Sequence, residues 1–529
     1  MRLSLLTIFG LLAAAQFAPT VSLDPSPLRH LRSTSVGEPA LETLERATAA
    51  AQPLTRDTQL SAADLQADLA VLKDAYETLH PGLLRYNTPA QVDTAFAATA
   101  RTFASGATLA VAFRELTRLT ASLRCGHSYP NFWNQPRRIA DALFEGRDKL
   151  PIEFRWLDGR MIVTRDLRAV PNFPAGTEVL SIDGTPAREV LARLVPLARA
   201  DGANDAKRIA YLEVRAQARY HAFDLLYPLV FPVRDGRFAL VVRTPDGATR
   251  AENADAMNGA ERRTLGTSIT TQTTADAAAP LWTYDVRDGL AVLRMPTWAL
   301  FNSRWNATAW TDSIMADLIA RRVPDLVIDL RGNEGGLDAG NQLLARLITA
   351  PLELPVYRRV VRAVRVPDRL RPVLDTWDNS FFDWGAQARP SDDPRFFRLT
   401  RWDDTDSGGN VIQPRGPRYT GKVWVLVDAA NSSATFQFAL AVKRSGVATL
   451  VGQPTGGNRR GINGGAFFFL RLPRTGLEVD LPLIAGLPST AEPDAGVEPD
   501  LLVQPTIGDV AAGRDAELEA VRHAIRQRR

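Results

Sequence analysis

From residue 61 onward the apolar positions fall at helical spacing. Leu65, Leu69, Leu72, Ala75, Tyr76 and Leu79 recur every three or four places, so they line one face of a helix. Ser61-Ala62-Ala63-Asp64 reads as its start and His80-Pro81-Gly82 as its stop. The same period returns over about 90–103 and 109–123. These stretches predict a helical bundle over 58–125, within an N-terminal domain of 58–149. The bundle closes on Arg124-Cys125-Gly126-His127-Ser128.

Near residue 150 the pattern shortens to alternating β-rich runs: Leu150–Phe154, Met161–Thr164, Glu178–Ile182 and Phe238–Val242. Asp158-Gly159, Asp183-Gly184 and Asp246-Gly247 punctuate them as turns. A β-rich module over 150–260 follows, and 261–280, rich in Thr and Ala, reads as a linker. From 281 to 529 strands and helices alternate. Leu290–Met295, Leu326–Leu330, Val423–Asp428 and Ala448–Gly452 are apolar strands; Trp305–Ala320, Gly340–Ile348 and Ala434–Arg444 have helical periodicity. That alternation predicts helices covering a largely parallel sheet. Between them, roughly 356–420, lies a Pro-, Asp- and Arg-rich insertion with Trp377, Trp384 and Trp402, a lid or simply a packed surface.

Composition narrows the class. The chain is 45% hydrophobic and 23% charged with a net charge of +4, ordinary for a globular protein of several domains. Its positive charge is nearly all arginine; lysine occurs only at 73, 149, 207, 422 and 443. No basic run carries the interleaved aromatics of a nucleic-acid groove. Met1-Arg2, the uncharged stretch Leu3–Ala15 and the small residues that follow read as a signal peptide over 1–22, with a loose linker over 23–57. No later segment reads as a membrane span, and the single cysteine, Cys125, has no partner for an internal disulfide. The expectation is a periplasmic or secreted protein, not stably inserted in a membrane once the signal is removed.

Three segments carry candidate chemistry. Asp329-Leu330-Arg331-Gly332-Asn333-Glu334-Gly335-Gly336 is a buried strand running into a glycine-rich turn. Such a turn lets backbone N–H groups face an anion, or is simply tight; its spacing fits neither a dinucleotide nor a phosphate loop. Asp428-Ala429-Ala430-Asn431-Ser432-Ser433-Ala434 ends a strand and opens a helix. A serine there sits where helix N–H groups favour developing negative charge, although most serines so placed are N-caps. Gly126-His127-Ser128 holds, among the histidines at 30, 80, 127, 221 and 523, the one whose small neighbours leave its ring accessible as a base.

Taken together, and with Val451-Gly452-Gln453-Pro454-Thr455-Gly456-Gly457, these segments resemble the family of tail-specific (C-terminal processing) peptidases, the tricorn core and the interphotoreceptor retinoid-binding protein. Leu472-Pro473, Gly476-Leu477 and Gly496-Val497-Glu498-Pro499-Asp500 are similar to that family as well. The resemblance spans most of 281–510 and implies a crotonase-like α/β catalytic core. More weakly, 176–184 resembles part of a PDZ-like domain. Family members of the Ser–Lys type place their lysine twenty-five residues after the serine, and that position here is Asn458. The one later lysine, Lys443, lies about 15 Å along the serine's own helix. The resemblance therefore points to the tricorn-like branch, with Ser433 as nucleophile and His127 as general base.

What the resemblance implies is a serine peptidase acting through an acyl-enzyme on peptide or protein substrates, without metal or cofactor; the signal-peptide pattern makes it an exported one. The oxyanion hole would come from the N–H of Ala434 and of Gly335 or Gly336. The acid orienting His127 would lie near the C-terminal motif, with Glu492 and Asp494 both candidates. Arg459 and Arg460 read as a grip on a substrate carboxylate or, more commonly, as solvated surface. Two other readings stand beside this one: a catalytically silent peptide or small-ligand binder on the same fold, and a hydrolase of small esters or amides.

Overall fold

Ser61 caps the first helix, Ala62–Leu79, its side chain accepting from Asp64 N–H at 3.1 Å. In the computed structural model the described residues are 54–215, 220–265, 280–301, 303–354, 357–401 and 411–528. The expected signal peptide, nearly all of the 23–57 linker and Trp402 lie outside them. Pro89–Phe103 and Leu109–Ser122 complete the three periodic helices, each with a threonine cap. A fourth, Arg137–Phe144, is too short to have shown a period.

The middle module forms an antiparallel sheet along Ile152–Leu157, Arg160–Asp166, Glu178–Ile182, Arg237–Arg243 and Thr249–Asp255. Asp158 and Gly159 both take positive φ between the first two strands, as a tight hairpin turn demands. The module is less purely β than its sequence suggests, for Ala187–Leu194, Asp205–Tyr211 and Ala222–Val230 are helices. Each is under three turns, too short for the pattern to stand out from a strand's. The linker expected from 261 likewise begins as a helix, Gly259–Leu265, because Arg262 is buried against Asp224 at 2.8 Å.

The alternating C-terminal region builds a six-stranded sheet in the order Leu501–Leu502, Thr449–Gly452, Lys422–Val427, Asp325–Asp329, Leu290–Arg294, Thr283–Arg287. All neighbours are parallel except the last pair. Leu326, Ile328, Val423, Val425 and Val427 pack under the helices Ala307–Ala320, Ala339–Ala345 and Ser433–Ser445. Val327, Trp424 and Leu426 face the other way, onto Val521 and Ile525 of the C-terminal helix. Burial on both faces explains the unbroken apolar runs. Arg331 ties that helix to the sheet, bonding Asp329, Asp515 and Glu517.

The insertion after residue 356 is neither bare loop nor free lid. Tyr357–Val361 and Phe397–Leu399 join a second antiparallel sheet with the long strands Asn463–Arg471 and Glu478–Pro488. Trp377 packs on Phe381, Phe467 and Phe469. This sheet shares its core with the N-terminal helices and the middle module, so the chain folds back on itself. Asp68 in the first helix accepts from Arg474 N–H, Thr475 N–H and the Thr475 hydroxyl at 2.9, 2.8 and 2.7 Å. Asp68→Ala leaves those buried donors unpaired and is expected to destabilise the fold by about 2 kcal/mol. An unchanged urea midpoint would show that the helix does not depend on this turn.

Candidate active site

Two strand ends meet at the top of the parallel sheet. Asp325–Asp329 runs into the glycine turn and Lys422–Val427 into the turn bearing Ser433. The turns are laced together by buried side-chain amides. Asn431 Nδ2 donates to Leu330 O and Asn333 O at 2.6 and 2.9 Å, and the Thr435 hydroxyl donates to Asn333 O at 2.8 Å. Asn333 Nδ2 in turn donates to Met295 O. Asp428 accepts from Gly332 and Ala430 N–H and pairs with Arg215 at 2.7 Å. The nearby arginine outweighs burial and holds its carboxyl below the usual range.

Ser433 is buried at the first position of the helix Ser433–Ser445, with φ at +64°. A non-glycine residue pays for that conformation with strain, which persists only where the surroundings enforce it. Neither serine acts as a helix cap. Ser432, at the cap position, sends its hydroxyl to Glu334 O at 3.2 Å and makes no capping bond. Ser433 Oγ lies 2.5 Å from Ala434 N. A Cβ added to Gly335 would meet Ser433 Oγ at 2.4 Å, and Gly335 has φ of +103°. Only glycine fits opposite this serine.

Gly335 is not placed as a free oxyanion donor, since its N–H is donated to Asn333 Oδ1 at 2.9 Å. Gly336 pairs with Trp298 through the neighbouring groups, Gly335 O and Leu337 N, so its own N–H is not engaged in that bridge. A Cβ on Gly336 would strike Trp298 O at 2.2 Å.

His127 is buried, 6.0 Å from the Phe467 ring, and its Nδ1 has no hydrogen-bond partner. Its loop, by contrast, is gripped on every side. Gly126 N–H donates to Asp201 Oδ1 at 2.9 Å and Gly126 O accepts from Arg199 Nη1 at 2.6 Å. On the far side, the Ser128 hydroxyl lies 2.8 Å from His80 Nε2. His80 Nδ1 accepts from Gly82 N–H, so Nε2 carries the proton and donates to Ser128. Burial, and then Arg199 and Lys207, lower the His127 pKa to about 3, with Glu334 opposing them. The ring is a neutral imidazole across ordinary pH.

The two expected acids lie elsewhere. The Glu492 carboxylate is held by Arg444 and Arg459, both at 2.6 Å. Asp494 accepts from Asn458 Nδ2 and Ala203 N–H at 2.6 and 2.9 Å, and Arg460 stands 3.9 Å from it. Neither acid reaches His127 Nδ1. Asn458, at the position where a lysine base would stand, also donates to Asp201 O at 3.2 Å, and so joins the core to the middle module.

What sequence reasoning missed is a charged group linked to both the histidine and the serine segments. Glu334, inside the glycine turn, pairs with Lys207 Nζ at 2.5 Å and Arg199 Nη2 at 3.0 Å. Lys207 also donates to Ala430 O at 3.0 Å in the serine's turn. Burial alone would raise the Glu334 carboxyl, but Lys207 and Arg199 outweigh it and hold it at about 2. One signal was visible: Lys207 is one of very few lysines in a chain that otherwise uses arginine.

A strained serine over a glycine turn, at the ends of parallel strands, is the arrangement of a serine-type hydrolase. Residues 289–501 match the model of peptidase family S41, a family of serine-type peptidases. Among solved structures it is similar to mature CPAF, at 16% identity over 85% of this chain and 94% of that one, with a TM-score of 0.56. Mature CPAF complexed with lactacystin gives 16%, 85%, 95% and 0.56. The photosystem II D1 C-terminal processing protease gives 15%, 85% and 96% but a TM-score of only 0.38. At these identities the CPAF likeness concerns the fold alone. No curated protein matches.

Gly335→Ala is expected to lower kcat at least a hundredfold while the protein still folds, because the added methyl occupies the space of the serine hydroxyl. Retention of a tenth or more of the activity would show that the turn and the serine are not apposed in the working enzyme.

Proposed function

We propose that the chain is an exported peptidase that cleaves peptide bonds through an acyl-enzyme on Ser433, with His127 as general base. The observation that carries this reading is the left-handed Ser433 facing a glycine that tolerates no side chain. A hydroxyl held in strain at a helix N-terminus is poised for attack, and the helix end favours the oxyanion that forms. Ser433 Oγ attacks the substrate carbonyl while His127 takes its proton, then returns it to the leaving amine. The Ala434 N–H, beside the hydroxyl, and the Gly336 N–H are the donors assigned to the oxyanion, each worth about 3–4 kcal/mol in such sites. Catalytic hydrogen bonds are often loose in a free enzyme and tighten around substrate, consistent with a His127 ring whose loop is fixed before its nitrogens are engaged.

Peptide or protein substrates follow from the family. The PDZ-like reading of the middle module is supported by its antiparallel sheet and the short helix Ala187–Leu194 against it. The export reading rests on the pattern of residues 1–22; among the described residues no helix is long and apolar enough to cross a membrane. No cluster of metal-ligating side chains occurs among them either.

A fluorophosphonate probe should label the wild-type protein and leave Ser433→Ala unlabelled; equal labelling of both would falsify the nucleophile. If a silent binder is the truth, the wild type also stays unlabelled. With His127 neutral down to about 3, kcat/KM should hold steady below the ordinary histidine value of about 6.5 and fall only as the ring protonates. A half-maximal point near 6.5 would mean that a different group is the base.

A further inference from the structure

His127 and Ser433 come from distant parts of the chain, and nothing in the ring's own hydrogen bonding joins them. What joins their backbones is a half-buried cluster of three charges. Arg199 bonds Gly126 O, next to His127, with one nitrogen and Glu334 with another. Glu334 precedes the glycine that faces Ser433, and its main-chain O accepts from the Ser432 hydroxyl. Lys207 bonds the other Glu334 oxygen and reaches Ala430 O. The His127 loop and the two turns already laced together by Asn431 and Thr435 thus meet on one carboxylate.

The cluster is built rather than incidental. Arg199 is sandwiched by Tyr129 and Tyr211, with ring centroids at 4.4 and 4.9 Å. The Lys207 stem fills the space beside Gly456, where a Cβ would meet it at 2.8 Å. Both cations belong to the middle module; Lys207 is buried and Arg199 is mostly so. Breaking a buried ion pair from one side leaves an uncompensated charge, and so moves or reorders what it holds.

We infer that Glu334, clamped by Arg199 and Lys207, is the positioning residue that docks the His127 loop onto the Ser433 turn, so that the middle module completes the active site. The inference rests on Ser433 and His127 being nucleophile and base. Around the ring the charged groups are Arg199 and Lys207 from the middle module and Glu334 from the glycine turn. Asp201, on Gly126 N–H, is held toward its neutral form by burial. His80, behind Ser128, is also neutral, since burial lowers it to about 3, and the strand Asn463–Arg471 contributes the uncharged Phe467. The cluster therefore sets geometry and charge together. Arg199→Lys keeps the charge yet lacks the two-pronged reach from Gly126 O to Glu334; Lys207→Met removes a charge that opposes the imidazolium.

The test is the second-order rate of Ser433 acylation by a fluorophosphonate, measured against pH in the full chain, with thermal melting to score folding. Glu334→Gln and Arg199→Lys should each slow acylation at least tenfold at the plateau. Glu334→Gln combined with Lys207→Met should be no slower than Glu334→Gln alone, because the two residues act as one unit. Lys207→Met should also move the acid limb upward by about one pH unit, which lost packing alone would not do. Acylation of folded Glu334→Gln and Arg199→Lys within twofold of wild type overturns the clamp, as does an unmoved limb in Lys207→Met. If Glu334→Gln does not fold, Arg199→Lys and the limb decide. His127→Ala separates the two ideas. If it is slow while the cluster variants are normal, only the clamp fails; if it acylates like wild type, the Ser–His reading fails and the clamp with it.

Discussion

The constraint on which the rest depends is the close approach of two turns at the top of the parallel sheet. The backbone of Gly335 lies so near Ser433 that no side chain fits between them. That approach fixes the serine in a left-handed conformation, which an isolated chain would leave at once. Asn431 supplies the restraint by bonding the backbone of the opposing turn, and Asn333 by accepting from Gly335 N–H within its own turn, both from buried positions where an unmade hydrogen bond is costly. Parallel pairing of Asp325–Asp329 with Lys422–Val427 brings both turns to the same edge.

Around that approach the protein assembles a second layer of restraint from far away in sequence. The N-terminal helices carry His127, the middle module carries Arg199, Asp201 and Lys207, and the core carries Glu334 and Asn458. Their contacts are mostly charge-assisted and buried, so each is strong when complete and expensive when partial. The same crowding suppresses the basicity of His127. Burial and two cations disfavour its protonated form, while Glu334 alone among its charged neighbours favours it.

Much of the architecture could be read from periodicity. The helices at 62–79, 89–103 and 109–122 and the strands of the parallel sheet declared themselves because each is long or apolar enough to show its period. The short helices inside the middle module did not, and neither did the strands of the insertion. A run of three to nine residues looks alike in either state until something packs on it. At the site, Ser433, Gly335 and Gly336 stood out only in combination, through the resemblance of their segments to the motifs of a peptidase family, since each alone also read as a cap or a tight turn. Glu492 looked equally plausible as the acid, yet it lies between Arg444 and Arg459, which no local pattern announces.

The sequence by itself determined the turn chemistry, the parallel core and the absence of a lysine at position 458, because these depend on neighbours a few residues apart. Only the tertiary structure decided which acid and which cations share the site. Lys207 and Glu334 are 127 residues apart, and so are joined only once the sheet order and the docking of the middle module are set. Charge interactions act through space rather than along the chain, so the partners of His127 were chosen by the fold and not by the residues that flank it.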